Sequence, residues 1–402
     1  MDIKKLIEEA EENLAPVFRR IDDIAQFNTE KVMNAFREER VSDACFNSSS
    51  GYGYDDRGRE VLDRVYARAF GTEAAIVRPH IVNGTHALTI GLFGLLRAGD
   101  TLLSVTGKPY DTLDDVIGIS GNHGYGSLAE YGVNYRQCEM GEDFLPLLDD
   151  TVKVVFIQRS KGYLNRKTLS AAEINEISEK VHKNSKAFVM LDNCYGEFTE
   201  KEEPKADLFC GSLIKNPGGG MAEIGGYLAG TAKAVELASY RLTSPGVGGE
   251  VGASLNQNRN MFRGFFFAPH IVAQAIKTAH LAAYCFEKLG FEVEPKYNEP
   301  RYDIIQTVKL NSPSLLCAFC RGIQSGSPVD SYVTPEPWDM PGYNDKVIMA
   351  AGTFVQGSSI ELSADGPLRP PYTAFMQGGL TYESGKLGIK YALEEVIAEM
   401  NK

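Results

Sequence analysis

Between residues 73 and 230 the chain alternates short apolar, β-branched runs with longer helix-like stretches, and this alternation limits the fold more than any other feature. Glu73–Val77 opens an apolar run that closes on Asn83-Gly84-Thr85, and a helix-like stretch then runs from His86 to Leu96 and stops at Gly99. Thr101–Val105, Val152–Gln158 and Lys186–Leu191 read as buried strands, the last ending at Asp192. Ala206–Cys210 and Tyr227–Ala229 read as shorter ones. Ser170 and Glu173 have the S-x-x-E spacing of a capping box, which predicts a helix from there to about Lys183. Parallel strands need crossover connections, and a crossover helix must bury its apolar stripe on the sheet. The pattern therefore predicts an α/β fold, a mostly parallel sheet with helices on both faces.

The flanks read differently. Ile3 to Arg40 is helical in character, with Ile3, Leu6, Ile7 and Ala10 on one stripe. Pro16 is expected to interrupt that helix, and a second one to start at Asn28 or Thr29. A glycine–tyrosine loop, Ser50 to Gly58, follows. Around residue 265 the character changes. Ala268–Leu289 reads as a long helix ended by Gly290, Ile304–Leu310, Ser314–Phe319 and Lys346–Phe354 as strands, and Tyr382–Met400 as the last helix. At 402 residues the chain has room for two or three domains. The expected organisation is an N-terminal helical arm (1–50), a large domain (51–265) and a smaller α+β C-terminal domain (266–402).

A formal net charge of -12 disfavours non-specific nucleic-acid binding, which needs a basic surface. It leaves small anions open, since local amides and arginines can hold them. Apolar runs fall far short of the ~20 residues of a membrane span, and Met1 to Arg40 shows no apolar signal-peptide core. The seven cysteines are scattered, and only Cys317 and Cys320 are close. Without a second pair or nearby histidines they make a poor zinc site, and they read as buried thiols on a strand. No metal is expected, and the cysteine usage points to a reducing cytoplasm.

In an open α/β sheet, ligands bind beyond the carboxyl ends of the strands. Four polar features fall at such places. Asn83-Gly84-Thr85, at a strand end and helix start, could hold a phosphate with free amides and the helix dipole, or be an ordinary capped turn. Asp192 could face a metal or a cationic ring nitrogen, or cap a helix. Ser212-Leu213-Ile214-Lys215, before Asn216, Pro217 and three glycines, offers a lysine that becomes a nucleophile if its amine is desolvated, or a solvated loop lysine. Arg369, in Gly366-Pro367-Leu368-Arg369-Pro370-Pro371, could grip a carboxylate through a two-bond fork, or lie on the surface.

The order and spacing of the four resemble a fold-type I pyridoxal-phosphate enzyme. Gly107-Lys108-Pro109-Tyr110-Asp111-Thr112-Leu113, Gln158-Arg159-Ser160-Lys161-Gly162-Tyr163, Ser212 to Gly220, Ser327 to Asp330 and Thr334 to Tyr343 narrow it further. Together they are similar to the methionine gamma-lyase-like family also known as aluminium-resistance proteins, over nearly the whole chain. This family stands with the Cys/Met-metabolism enzymes that include cystathionine lyases. The resemblance implies that pyridoxal 5′-phosphate is held covalently by Lys215, which would also move the substrate alpha proton. It places Asp192 on the pyridinium nitrogen, Gly84, Thr85 and Ser212 on the phosphate, and Arg369 on the substrate carboxylate. Tyr110 would stack on the ring and assist the leaving group as an acid, and Ser160 is carried over to the neighbourhood of the cofactor O3′. Relatives use a Tyr-x-Arg motif from a neighbouring subunit for the phosphate; the nearest counterpart here is Tyr54-Asp55-Asp56-Arg57, with one extra residue between. A homo-oligomer, dimer or tetramer, with sites at the subunit interface is thus implied. Gly84, Gly218, Gly219 and Gly220 are expected where the backbone comes close to the cofactor, and His86 lies next to the phosphate turn.

The implied activity is a carbon–sulfur lyase on a sulfur amino acid, releasing ammonia and a 2-oxo acid. Synthase, racemase and aminotransferase chemistry share its first steps, and a cofactor-binding protein without turnover is the non-enzymatic alternative. S-x-x-K also occurs in penicillin-binding proteins, but the S-D-N and K-T-G elements of that class are missing. Gly246 to Gly252 holds a G-x-G pattern without the strand that a dinucleotide loop requires.

Overall fold

The computed structural model describes residues 2–120, 125–164, 166–340 and 345–402. Pro341, Gly342 and Tyr343 of the Thr334–Tyr343 motif lie outside the described residues. Seven strands, β1 (Ala74–Arg78), β2 (Thr101–Ser104), β3 (Asn134–Gln137), β4 (Val152–Gln158), β5 (Phe188–Asp192), β6 (Leu208–Ser212) and β7 (Gly226–Gly230), form one sheet in the order β1-β7-β6-β5-β4-β2-β3. From β6 to β3 every pairing is parallel, and β7 runs antiparallel to both of its neighbours. The mostly parallel sheet is as the alternation predicts.

Both faces of this sheet are buried, and the period of two along each strand divides its side chains between them. Val154 and Phe156 of β4, Met190 of β5 and Leu208 and Cys210 of β6 join one core. There they meet the helices α3 (Gly84–Leu95) and α6 (Ala232–Leu242). Val155, Ile157, Val189, Leu191 and Phe209 point the other way. They meet α2 (Arg57–Phe70), α5 (Ala171–Asn184) and the first half of α7 (Asn258–Lys288). Each fully buried aliphatic side chain here contributes about 1.5–3 kcal/mol. The capping box of α5 forms as read, Ser170 and Glu173 each bonding the other's backbone. The helix α4 (Asp114–Ile117) is a single turn between β2 and β3.

A second, antiparallel sheet lies C-terminal to α7. Its strands are β8 (Glu292–Glu294), β9 (Ile305–Lys309), β10 (Val347–Ala350), β11 (Ser363–Pro367) and β12 (Thr373–Gln377), in the order β10-β11-β12-β9-β8. Helices α8 (Pro313–Ser325) and α9 (Tyr382–Met400) pack with it in a core shared with the start of α1 (Ile3–Glu38).

Four local expectations are corrected. Pro16 does not interrupt α1, and Asn28 is not a cap. Proline removes one intrahelical hydrogen bond, but α1 is held along its length against α7 and both cores. Asn28 is instead a buried mid-helix anchor that donates to the Phe198 and Glu200 carbonyls at 3.2 and 2.8 Å. Helix α7 begins ten residues before Ala268 and carries Pro269 inside it, so it crosses residue 265 without a break. Ser314–Phe319 is not a strand but part of α8: Ser312 caps the Leu315 amide, and Pro313 sits at the first helical position. Cys317 and Cys320 are therefore thiols on a helix, and all seven cysteines are free.

Candidate active site

The carboxyl ends of the parallel strands carry a row of polar residues. Gln158 ends β4 and is paired in register with Asp192, which ends β5, and Ser212 ends β6. Opposite them stand Ile305 of β9, Asp365 of β11 and Phe375 and Gln377 of β12. Tyr110, Ser160, Gly162, Tyr163, Cys194, Tyr195 and Lys215 complete the lining of the cleft between the two sheets.

Lys215 follows β6 by three residues, and its amine lies 4.0 Å from the centre of the Tyr195 ring. Burial works against its charge, and Cys194, Tyr195 and Asp192 outweigh burial, keeping the amine protonated beyond the usual lysine range. Tyr195 takes a left-handed backbone, φ 74°, which a bulky residue adopts only where its surroundings enforce it. Its hydroxyl accepts from Ser359 at 3.2 Å. Asp192 is buried, and burial raises its pKa against the pull of Lys215 and of the Cys194 amide, which donates to it at 3.1 Å.

Gly84 opens α3 beside these groups. A Cβ there would stand 3.1 Å from the Cys194 sulfur, 3.6 Å from the Ser212 Cβ and 4.0 Å from the Lys215 amine, so any side chain would fill the space between them. Asn83 caps the helix by accepting from the His86 amide at 2.8 Å, and the first amides of a helix have no intrahelical acceptor. Ser212 is almost fully buried, and its hydroxyl has no hydrogen-bond partner among the described residues. An orphaned hydroxyl beside free amides at a helix N-terminus is the donor set a phosphate needs. A buried carboxylate for a cationic ring nitrogen and a buried amine for an aldehyde complete the needs of pyridoxal 5′-phosphate. The residues present fit the group.

Other expected residues take more mixed places. Thr85 shares a hydroxyl–hydroxyl bond of 2.8 Å with Thr112 of the Tyr110 loop. Tyr110 lines the cleft, fixed by its amide donating to Gln158 at 2.7 Å. Ser160 also lines it, its hydroxyl donating to buried Asp303 at 2.9 Å. Tyr54 and Arg57 are exposed and do not enter this chain's own cleft; the Tyr54 ring stacks on Tyr52. Arg369 is nearly half exposed, pairs with Asp345 at 2.8 Å and is not part of the cleft wall. It stands four residues beyond Asp365, close enough to act electrostatically on Asp111 beside Tyr110.

One expectation is corrected here. Gly218, Gly219 and Gly220 do not face the cleft: Cβ atoms there would strike the Leu213 carbonyl at 1.6 Å, the Gly264 carbonyl of α7 at 2.4 Å and Leu380 at 2.4 Å. Their close approach is to the protein's own backbone and core. His86 turns aside, its Nδ1 accepting from the Val82 amide at 3.1 Å. The residues missed in the sequence divide in two. Gln158 was legible by the same strand-end reasoning as Asp192. Cys194, Tyr195, Asp365 and Gln377 carry no local pattern and reach the site only through the packing of two sheets.

Against this geometry the relatives can be set. The family model described as methionine gamma-lyase matches residues 3–397. The chain belongs to the methionine gamma-lyase family. It is 49% identical to the Bacillus subtilis protein YnbB, over 98% of this chain and 96% of that one. Two solved structures are similar throughout. One is a carbon–sulfur lyase involved in aluminium resistance from Clostridium novyi, 52% identical with a TM-score of 0.92, covering 97% of this chain and 95% of that one. The other, from Clostridium acetobutylicum, carries the provisional name cystathionine beta-lyase involved in aluminium resistance; it is 49% identical with a TM-score of 0.95, covering 98% and 95%. The fold is shared more distantly with the pyridoxal-5′-phosphate-dependent Escherichia coli protein YhfS, 16% identical with a TM-score of 0.61, over 94% of this chain and 97% of that one. Among the described residues no helix is long and apolar enough to cross a membrane.

Proposed function

We propose that this protein is a pyridoxal-phosphate-dependent carbon–sulfur lyase acting on a sulfur amino acid. The observation that carries the reading is the meeting of Lys215, Asp192 and the orphaned Ser212 hydroxyl beside the Gly84 helix start, within one cleft. The family membership and the names of the two Clostridium proteins support it. When bound, the cofactor supplies an electron sink for the carbanion left by the substrate alpha proton.

The chain's own residues do the rest. Lys215 would hold the cofactor through its amine, and that amine is the group placed to take the substrate alpha proton. Asp192 keeps a proton on the ring nitrogen. Ser212 and the first amides of α3 hold the phosphate, with Thr85 and Thr112 bracing the Tyr110 loop. Tyr110, which lines the same cleft, would pack on the cofactor ring and is the phenol placed to give a proton to the leaving sulfur. Arg369 leaves Asp345 to take the substrate carboxylate. The free thiols support action in the cytoplasm. The exposure of Tyr54 and Arg57 supports a homo-oligomer in which they serve a partner's site.

The test is incubation of the purified, cofactor-loaded protein with a panel of sulfur amino acids, followed by identification of the oxo acid. Pyruvate marks elimination at the beta carbon and 2-oxobutyrate at the gamma carbon. Borohydride should fix the cofactor to the peptide containing Lys215. Labelling of another peptide, or no oxo acid from any member of the panel, overturns the reading.

A further inference from the structure

The wall of the cleft that faces Lys215 is built by the small sheet, and it has a charge problem of its own. Asp365 of β11 is paired in register with Phe375 of β12, and Gln377 with Ile305 of β9, so the four side chains share the cleft wall. Tyr163 and Gln377 hydrogen-bond the Asp365 carboxyl, and Gln377 is itself anchored by donating to Ser363 at 2.9 Å. Tyr163 packs on Phe375 with ring centres 4.8 Å apart, which fixes both. The carboxyl is thus held in place, yet its Oδ1 is buried with no hydrogen-bond partner among the described residues.

Among the described residues, few titratable groups face Asp365. The Tyr163 phenol stands on the loop after β4, the Cys320 thiol lies behind it on α8, and Lys215 faces it from the large sheet. Lys215 is the only cation among the described lining residues, and it is committed to the cofactor. A buried carboxylate without a counter-charge is costly unless it takes up a proton or a ligand brings a cation. Phe375 and Ile305 flank it with apolar surface suited to methylene groups and a thioether.

We infer that this wall receives the substrate side chain, and that Asp365 selects amino acids whose side chain ends in an ammonium group. The inference rests on the lyase reading for the place of the substrate and adds its class. Methionine, with an apolar methyl end, is a poor fit to this wall, and a sulfur amino acid with a second, distal amine is a good one. Burial, opposed by the bonds from Tyr163 and Gln377 and by the Lys215 charge, pushes the Asp365 carboxyl up to about 7. Below that pH the group is neutral and above it a carboxylate, so selection for an ammonium strengthens as pH rises from 6 to 8.

An isosteric pair of probes tests this: S-(2-aminoethyl)-L-cysteine, with a terminal ammonium, and S-propyl-L-cysteine, with a methyl in its place. Affinity is read from the absorbance change of the bound cofactor, at pH 6, 7 and 8, in the loaded wild type and in Asp365→Asn. Titration of the alpha-amine is common to both probes and cancels in the ratio. The wild type should prefer the aminoethyl probe tenfold or more at pH 8 and much less at pH 6. Asp365→Asn should erase the preference and its pH dependence while keeping affinity for the propyl probe. The wild-type preference and its pH dependence need no variant, so the inference stays testable if the variant does not fold. Equal affinities in the wild type, a pH-independent preference, a preference unchanged in Asp365→Asn, or no spectral response to either probe overturns it. Turnover is scored separately. An Asp365-dependent preference without oxo acid removes the lyase reading and keeps the selectivity, and oxo acid from both probes at equal affinity does the reverse.

Discussion

Ser212 shows how one side chain can separate folding from ligand binding. Its hydroxyl is buried and bonds nothing among the described residues, so Ser212→Ala removes no hydrogen bond of that oxygen seen there. Hydrogen bonds to charged groups are worth about 1.5–3 kcal/mol. Ser212→Ala should therefore weaken cofactor binding roughly tenfold to a hundredfold, with the urea midpoint of the cofactor-free protein unchanged. Equal loss of both would make the hydroxyl structural. Arg369 poses the opposite problem, since its partner in the structure is Asp345. Arg369→Ala should raise KM for the substrate about tenfold with cofactor affinity unchanged. Unchanged kinetics would leave the arginine as half of a surface pair. Lys215, Asp192 and Ser212 were legible in the sequence because strand ends are legible. Asp365 was not, because nothing in Ser363-Ala364-Asp365-Gly366 shows that β11 faces another sheet across a cleft.

At the scale of the element, α7 ties the molecule together. Its first half packs under the large sheet and its second half in the core of the small one. His280, in the second half, is held as a neutral ring. Burial, and after it the charge of Arg301, lowers its pKa from the ordinary 6.5 to about 2, and its Nδ1 donates to the Tyr297 carbonyl at 2.7 Å. The unfolded chain binds a proton below pH 6.5 that the folded one refuses. This contribution to stability is full above pH 6.5 and shrinks as pH falls from there toward 2, by up to about 1.4 kcal/mol per unit. Urea midpoints should fall from pH 7 to pH 5, and His280→Gln should flatten that slope. An identical slope in the variant would assign the acid sensitivity elsewhere. The misread elements share one cause. An apolar run such as Ser314–Phe319 fits a buried strand or a buried helix face equally, and the Ser312-Pro313 start signal decides for the helix. Pro16 in α1 argues the same way, since contacts along α7 outweigh one lost backbone bond.

At the scale of the whole molecule, the exposed loop before α2 bears on whether two chains share a site. Tyr52 and Tyr54 are 72% and 65% exposed with their rings stacked on each other, and Arg57 is exposed in the same segment. If these residues complete a partner's site, two defective chains should complement each other. Lys215→Ala chains carry an intact Arg57, and Arg57→Ala chains an intact Lys215. Refolded as a mixture, they should recover sites that pair the two, about a quarter of the total for random dimers. No recovery of cofactor binding or turnover would remove the shared-site arrangement.

By itself the sequence determined the parallel sheet, the strand ends on which Gln158, Asp192 and Ser212 stand, and the helix start at Gly84. Those features are local: periodicity, caps and turns act over a few residues and leave their mark in order along the chain. Only the tertiary structure decided that the small sheet closes the cleft with Asp365, Phe375 and Gln377, that Tyr195 lies under the Lys215 amine, and that the three glycines after Lys215 serve packing against α7 and Leu380. Those depend on which surfaces meet across long stretches of chain, and burial there sets the charge of each group.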